Sequence, residues 1–163
     1  MISQHIPEMF STRFAERMNS ISRMTVCEAS DGQIILPGHV YIAPGNDHMH
    51  VVRDGARFVT RLDRSEPVNR HRPSVDVMFH SVAENVGRNA IGVILTGMGA
   101  DGARGLLNLL EQGAPTIAQD EASSVVWGMP GRSVELGAAQ QILPLDKIPR
   151  AILKLAAMEP QPA

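Results

Sequence analysis

A histidine and an aspartate carry the first chemistry that this sequence suggests. His5 follows the opening extended residues, and Asp101 lies in the loop Thr96-Gly97-Met98-Gly99-Ala100-Asp101-Gly102, behind a short apolar run. An imidazole titrating near neutrality can take a proton, while a buried carboxylate fixes its tautomer and stabilises the imidazolium. Those are two of the three parts of an acyl-transfer triad. Candidates for the third are Ser3, two residues before His5 and on the same side of a strand, and Ser123, Ser124 and Cys27. None of them sits on a sharp turn that would present it to a substrate, so no nucleophile is assigned within this chain.

The same loop supports a second chemistry. Gly97-Met98-Gly99-Ala100-Asp101-Gly102 satisfies G-x-G-x-x-G between a strand and a helix, and Asp120 and Glu121 follow the next strand about 20 residues on, where a ribose-binding carboxylate is sought. Asp101 weighs against dinucleotide binding, because its charge competes with a pyrophosphate for the helix N-terminus. A tight turn with an acidic cap reads the pattern equally well. Asn69-Arg70-His71-Arg72-Pro73-Ser74-Val75-Asp76 groups Arg70, His71 and Arg72 ahead of a helix. It is either a solvated loop with a helix cap or a surface for acidic protein groups, which arginine binds through its planar fork. His48 and His50 alternate on one face of a strand without a third ligand. They are read as solvent-exposed, and no metal or cofactor is expected.

These residues need strand ends to hold them. Pro7 to Ser22 spaces Phe10, Phe14 and Met18 four apart, as an amphipathic helix does. From Met24 to Leu62, short extended segments alternate with Asp31-Gly32, Pro37-Gly38, Pro44-Gly45-Asn46 and Asp54-Gly55, and the last pair closes a hairpin of His48–Arg53 on Ala56–Leu62. Ser74 starts a helix bearing Val75, Met78, Phe79, Val82 and Val86, stopped at Gly87. Ile91 to Leu95 reads as a strand buried on both faces, and Leu106, Leu107 and Leu110 mark a helix ended by Gly113. Pro115 to Gln119 is the next strand. A broken helical region follows from Glu121 to Leu136, interrupted at Gly128-Met129-Pro130, then a strand at Gln141–Leu143 and a helix at Asp146–Ala156. The alternation predicts an α/β fold: a doubly wound, mainly parallel sheet with helices on both faces and an inserted antiparallel hairpin, its site beyond the strand C-termini. One domain over residues 1–157 is expected, with 158–163 as a tail.

Composition narrows the partners. Aromatic residues make up only 4%, so Ile, Leu, Val, Met and Ala must build the core. A formal charge of -2 provides no basic field for nucleic acid or anionic membrane. Cys27 is the single cysteine, the N-terminus lacks a signal-peptide pattern, and no stretch approaches the about 18 apolar residues of a membrane span. A cytoplasmic location and a protein or small-molecule partner are expected.

The blocks Ser3-Gln4-His5-Ile6-Pro7, Leu36 through Gly45, Asn69 through Asp76, Val93 through Gly102 and Ala118 through Ser123 resemble, in that order, the catalytic domain of CheB-type protein-glutamate methylesterases. The resemblance runs from about Ser3 to Leu155. It implies hydrolysis of glutamyl methyl esters on the cytoplasmic helices of methylated chemoreceptors in chemotaxis, releasing methanol, often with deamidation of receptor glutamines. His5 matches the family's general base and Asp101 its triad aspartate. Gly97, Met98 and Gly99 match the active-site loop, where the Met98 N–H is placed to help hold an oxyanion. Arg70 and Arg72, with His71 between them, are expected to help dock the acidic receptor helix. The family's nucleophile is a serine in a Ser-Thr-Gly-Gly turn, within a strand-helix unit that precedes the match. The chain by itself is therefore expected to be inactive, and poorly stable because a central strand of the family's sheet is unmatched. A noncatalytic receptor-binding remnant is the alternative within the family.

Overall fold

The computed structural model describes residues 1–157, and the expected tail at 158–163 lies outside them. The chain forms two compact units, Met1–Ser81 and Val82–Ala163.

In the first unit, helix α1 (Glu8–Ile21) precedes strands β1 (Thr25–Glu28) and β2 (His39–Ile42), which pair in parallel, and Ile2 extends that sheet by bridging to Ile42 in parallel. α1 packs on β1. Its buried face comprises Ser11 and Ala15, with Phe14 and Met18 against Val26, Ile42 and Val40. Phe10, expected on that stripe, is 53% exposed, because it falls one position off the Ser11–Ala15–Met18 spacing that faces the sheet. Strands β3 (His48–Asp54) and β4 (Arg57–Asp63) form the antiparallel hairpin. Asp54 pairs with Arg57, so Gly55 and Ala56 make the turn and Asp54 belongs to the strand; Gly55 takes φ 59°, which glycine adopts without a steric cost. Helix α2 (Val75–Asn85) crosses from the first unit into the second, and its first turn is capped by Ser74, whose hydroxyl accepts the Val77 N–H at 3.4 Å.

His48 corrects the expectation of a solvent-exposed strand histidine: it is fully buried. Its Nδ1 accepts the Ser74 N–H at 3.2 Å and its Nε2 meets the Glu66 carbonyl at 3.1 Å. An accepting Nδ1 leaves the proton on Nε2, so one tautomer ties the segment after the hairpin to the start of α2. His50 lies 2.5 Å from the Asp63 carboxylate, and Asp63 also accepts the Ser65 N–H at 2.8 Å. The Ser65 bonds, then His50, hold the Asp63 carboxyl down at about 2 from its ordinary 3.8. A carboxyl depressed in this way adds stability above its unfolded value and loses it as pH falls through the folded one. Asp63→Asn is accordingly expected to lower stability at neutral pH, by less than about 1 kcal/mol because solvent screens so exposed a pair. Urea melts should show the difference shrinking as pH falls below 3.8 and lost only as pH drops through about 2. A difference that persisted unchanged there would place its origin elsewhere.

The second unit is built on strands β5 (Gly92–Ile94), β6 (Thr116–Gln119) and β7 (Gln141–Leu143), parallel and in that order. β6 is central and buried at all four positions, Thr116 and Gln119 included, whereas β5, read from its apolar run as buried on both faces, buries Gly92 and Ile94 but leaves Val93 half-buried and Leu95, just beyond it, 42% exposed. Helices α3 (Ala103–Glu111) and α4 (Met129–Glu135) pack on β5 and β6, and α5 (Ile148–Ala156) follows β7. Leu106 and Leu109 of α3 are fully buried, each contributing about 2 kcal/mol through removal from water. The helix expected from Glu121 shrinks to α4. Asp120 to Trp127 forms turns, and Gly128-Met129-Pro130 opens a helix where an interruption was expected, because proline fits a first turn whose N–H groups lack intrahelical partners. The α/β character, parallel pairing, flanking helices and inserted hairpin are as read. The parallel strands lie in two sheets, however, and no ladder among the described residues joins them.

Candidate active site

His5 is fixed from both sides along the chain. Upstream, the Ile2 N–H donates to the Tyr41 carbonyl and the Ala43 N–H to the Ile2 carbonyl, each at 2.8 Å. At His5 itself the Ile6 N–H reaches back to the Gln4 carbonyl at 2.9 Å, so His5 is the central residue of a three-residue turn between strand and helix. Downstream, Pro7 caps α1 and the backbone of Gly45 lies against Pro7 and Glu8. The Gly45 N–H donates to the Ser11 hydroxyl at 3.0 Å, Ser11 bonds the Glu28 carboxylate, and Thr12 donates to the same carboxylate at 2.8 Å. The end of β1 thereby clamps the first turns of α1.

The ring of His5 lies flat on that of His71, with centroids 3.8 Å apart and planes 4° from parallel. His71 closes a turn in which its N–H and carbonyl both bond Val68, at 2.9 and 3.1 Å. Between them, Asn69 and Arg70 take φ 53° and 68°. Arg72 braces this turn: its Nε and Nη2 donate to the Asn46 Oδ1 at 3.1 and 2.8 Å, and its Nη1 to the Arg64 and Ser65 carbonyls at 2.8 and 2.9 Å. The three residues read together as a docking cluster therefore separate. Arg70 is exposed, Arg72 is committed to the protein's own loops, and His71 faces His5.

In the second unit, β5 delivers the glycine-rich loop. The Thr96 N–H donates to the buried Gln119 side chain at 2.8 Å, and the Thr96 hydroxyl exchanges bonds with the Val126 carbonyl and N–H at 3.1 and 2.9 Å. Gly97 pairs with the segment around Trp127: its N–H donates to Val126 at 3.2 Å, and its carbonyl accepts from Gly128 and Met129 at 3.1 and 2.8 Å. The Gly97 N–H is thus spent, and its contribution is to set the loop's path. Met98 stands 79% exposed at the crest. Gly99 and Gly102 take φ 90° and 88°, turning the chain so that Asp101 is fully buried immediately ahead of α3. A carboxylate there already supplies the negative charge that the helix N-terminus favours, which leaves the glycine pattern a packing role.

Asp120, considered for a ribose, accepts the Ser123 N–H and hydroxyl at 2.9 and 2.6 Å, while Glu121 is exposed. The other serines and the cysteine are placed as follows. Ser123 is held by Asp120 and Gln119 and accepts the Leu145 N–H at 3.0 Å, and Ser124 donates to the Asp120 carbonyl at 2.7 Å. Cys27 lies in β1 and receives the Gln33 side chain at 3.7 Å, and the Ser3 hydroxyl is buried without a hydrogen-bond partner among the described residues. Gln119, Gly128 and Trp127 brace the glycine-rich loop through Thr96 and Gly97, contacts that residue types alone do not reveal. Among the described residues no three His, Cys, Asp or Glu side chains converge on a metal-sized space, and no helix is long and apolar enough to cross a membrane.

His5 lies in the turn after the Ile2 bridge in the first unit, Asp101 lies buried behind the glycine-rich loop of the second, and comparison with known proteins gives the chain a family. Residues 1–152 match the family profile described as CheB methylesterase. The chain is 60% identical over 157 residues to a protein-glutamate methylesterase/protein-glutamine glutaminase 2 of Xanthomonas oryzae pv. oryzae, covering 96% of this chain and 44% of that protein. It is 59% identical over 155 residues to the corresponding protein of Hydrogenovibrio crunogenus, covering 95% and 41%. The chain therefore spans less than half the length of these relatives. The fold matches the crystal structure of the Thermotoga maritima CheB methylesterase catalytic domain with a TM-score of 0.91 and 40% identity, over 94% of this chain and 81% of that one. The chain belongs to the CheB methylesterase family.

Proposed function

We propose that this chain supplies the base and the carboxylate of a protein-glutamate methylesterase that hydrolyses glutamyl methyl esters on cytoplasmic chemoreceptor helices, and receptor glutamines by the same route. What carries the reading is the family match over residues 1–152, within which His5 and the buried Asp101 both fall. A serine from the family's Ser-Thr-Gly-Gly turn attacks the ester carbonyl as His5 takes its proton, and a bond forms between the serine oxygen and the acyl carbon. Backbone N–H groups at Met98 and its neighbour hold the oxyanion. The carbon–methoxy bond then breaks, His5 returns the proton, and methanol leaves; with glutamine the departing group is ammonia. His5 next activates water, which releases the glutamate side chain and restores the serine. Asp101 keeps His5 in the tautomer this exchange requires. Arg70 contributes to docking of the acidic receptor, and the location is cytoplasmic.

The test is methanol release from a methylated receptor fragment. The chain alone is expected to release none. A chimera carrying the family's strand-helix unit with its Ser-Thr-Gly-Gly turn ahead of residue 1 is expected to be active, and His5→Gln in that chimera should cost about 10^4-fold or more in kcat. A folded chimera that released no methanol, while still retained by receptor in a pull-down, would replace the reading with a noncatalytic receptor-binding module.

A further inference from the structure

We infer that His71 is a positioning residue for His5: its ring is the platform that sets the rotation of the base. The inference rests on the functional reading above for its kinetic consequence, and on geometry alone for its structural one.

Rotation about the bond joining an imidazole to its Cβ has a broad profile, so a histidine in a short turn does not by itself aim a particular ring nitrogen. A general base needs that aim, because the proton it takes lies within hydrogen-bond reach along one direction only. A flat ring at 3.8 Å and 4° confines the rotation. It does so without consuming either nitrogen, since imidazole lone pairs and N–H bonds lie in the ring plane and a stack covers only the face.

The surroundings of His71 are built to hold such a platform still. Arg70 takes φ 68°, a conformation a long side chain adopts only where its surroundings over-determine it. They do so here. Val68 and His71 bond each other through both backbone groups, the Asn69 side chain donates to the buried Asp76 carboxylate at 2.7 Å, and Arg72 makes four bonds to Asn46, Arg64 and Ser65. A loop that only displayed arginines to solvent would need none of this bracing. The restraint converges on His71, whose ring lies on that of the base.

The experiment compares His71→Ala, His71→Leu and His71→Phe. On this chain, NMR follows the ring protons of His5, which the stack displaces through the ring current of its neighbour. His71→Ala should move them, and His71→Phe should keep them displaced. In the active chimera, His71→Ala is expected to lower kcat by about 10- to 100-fold with KM within about twofold, the scale of a misplaced catalytic group. His71→Phe, which keeps a flat face and has no nitrogens, should recover most of the loss. His71→Leu, similar in bulk but without a face, should not, and it serves in place of His71→Ala if that variant fails to fold. Unmoved His5 resonances in His71→Ala or His71→Leu, a rise in KM at constant kcat, or a Phe variant as impaired as Ala would each overturn the inference. Because the NMR arm needs no hydrolysis, an inactive chimera with the expected shifts would count against the functional reading and leave the stack standing.

Discussion

Gly128→Ala is expected to remove about 99% of the ester hydrolysis of the active chimera while leaving most of the fold intact. A Cβ at this position would stand 2.5 Å from the Gly97 carbonyl oxygen, 2.8 Å from the Gly99 nitrogen and 3.1 Å from the Met98 Cα. All three atoms are backbone, so no side chain can swing aside. The dihedral angles at Gly128, φ -87° and ψ -76°, lie at negative φ, which makes the restriction one of space. The loop bearing Met98 has to yield, and the Gly128 and Met129 N–H bonds to Gly97 yield with it. Catalysis is sensitive to displacements of this kind, since an oxyanion donor acts over a narrow range of distances. Overpacking should cost about 1–3 kcal/mol of stability, well short of unfolding a sound domain. Thermal melts and kcat measured on one preparation check both parts, and a variant with unchanged kcat would show that the loop's path does not govern the reaction.

The second large effect is expected at Gly45. Its added Cβ would lie 2.3 Å from the Glu8 nitrogen, 2.4 Å from the Glu8 Cα and 2.6 Å from the Pro7 carbonyl carbon. That is the backbone at the head of α1, which Ser11, Thr12 and Glu28 clamp from the other side. Relief requires α1 to back away from the sheet, carrying the His5 turn with it. Gly45→Ala should therefore cost about 3 kcal/mol or more and reduce soluble yield. Gly32→Ala is the control: φ there is 70°, but nothing lies within 4 Å, so only the backbone penalty of about 1–2 kcal/mol applies. Urea titrations of the two variants should separate steric crowding from backbone strain, and equal losses would contradict the crowding at Gly45.

The difference between what could and could not be read from the sequence has a physical pattern. Periodicity located α1, the hairpin and β6, because burial selects residue types one position at a time along an element. The same local logic picks out His5 and Asp101 as candidates, by residue type and by their place near strand ends. It missed where helix α4 begins, since glycine and proline break a helix interior and open a helix with the same letters. It placed His48 in solvent because alternation on a strand does not say which face the rest of the chain will cover. It groups Arg70, His71 and Arg72 by charge, and the fold separates their contacts: Arg72 bonds Asn46 and Arg64, and His71 stacks on His5, 66 positions away in sequence. Close approaches at Gly45 and Gly128 are likewise pair properties, invisible at either position alone.

Trp127, the chain's single tryptophan, bridges Gly97 and rests its indole against Gly131. Excited at the red edge of its absorption, where Tyr41 is silent, the emission therefore originates beside the loop that carries Met98. Its wavelength and quenching report on that loop without an introduced label. Titrating a receptor peptide into the chain and following this intrinsic signal would detect engagement of the crest optically, in the absence of any turnover.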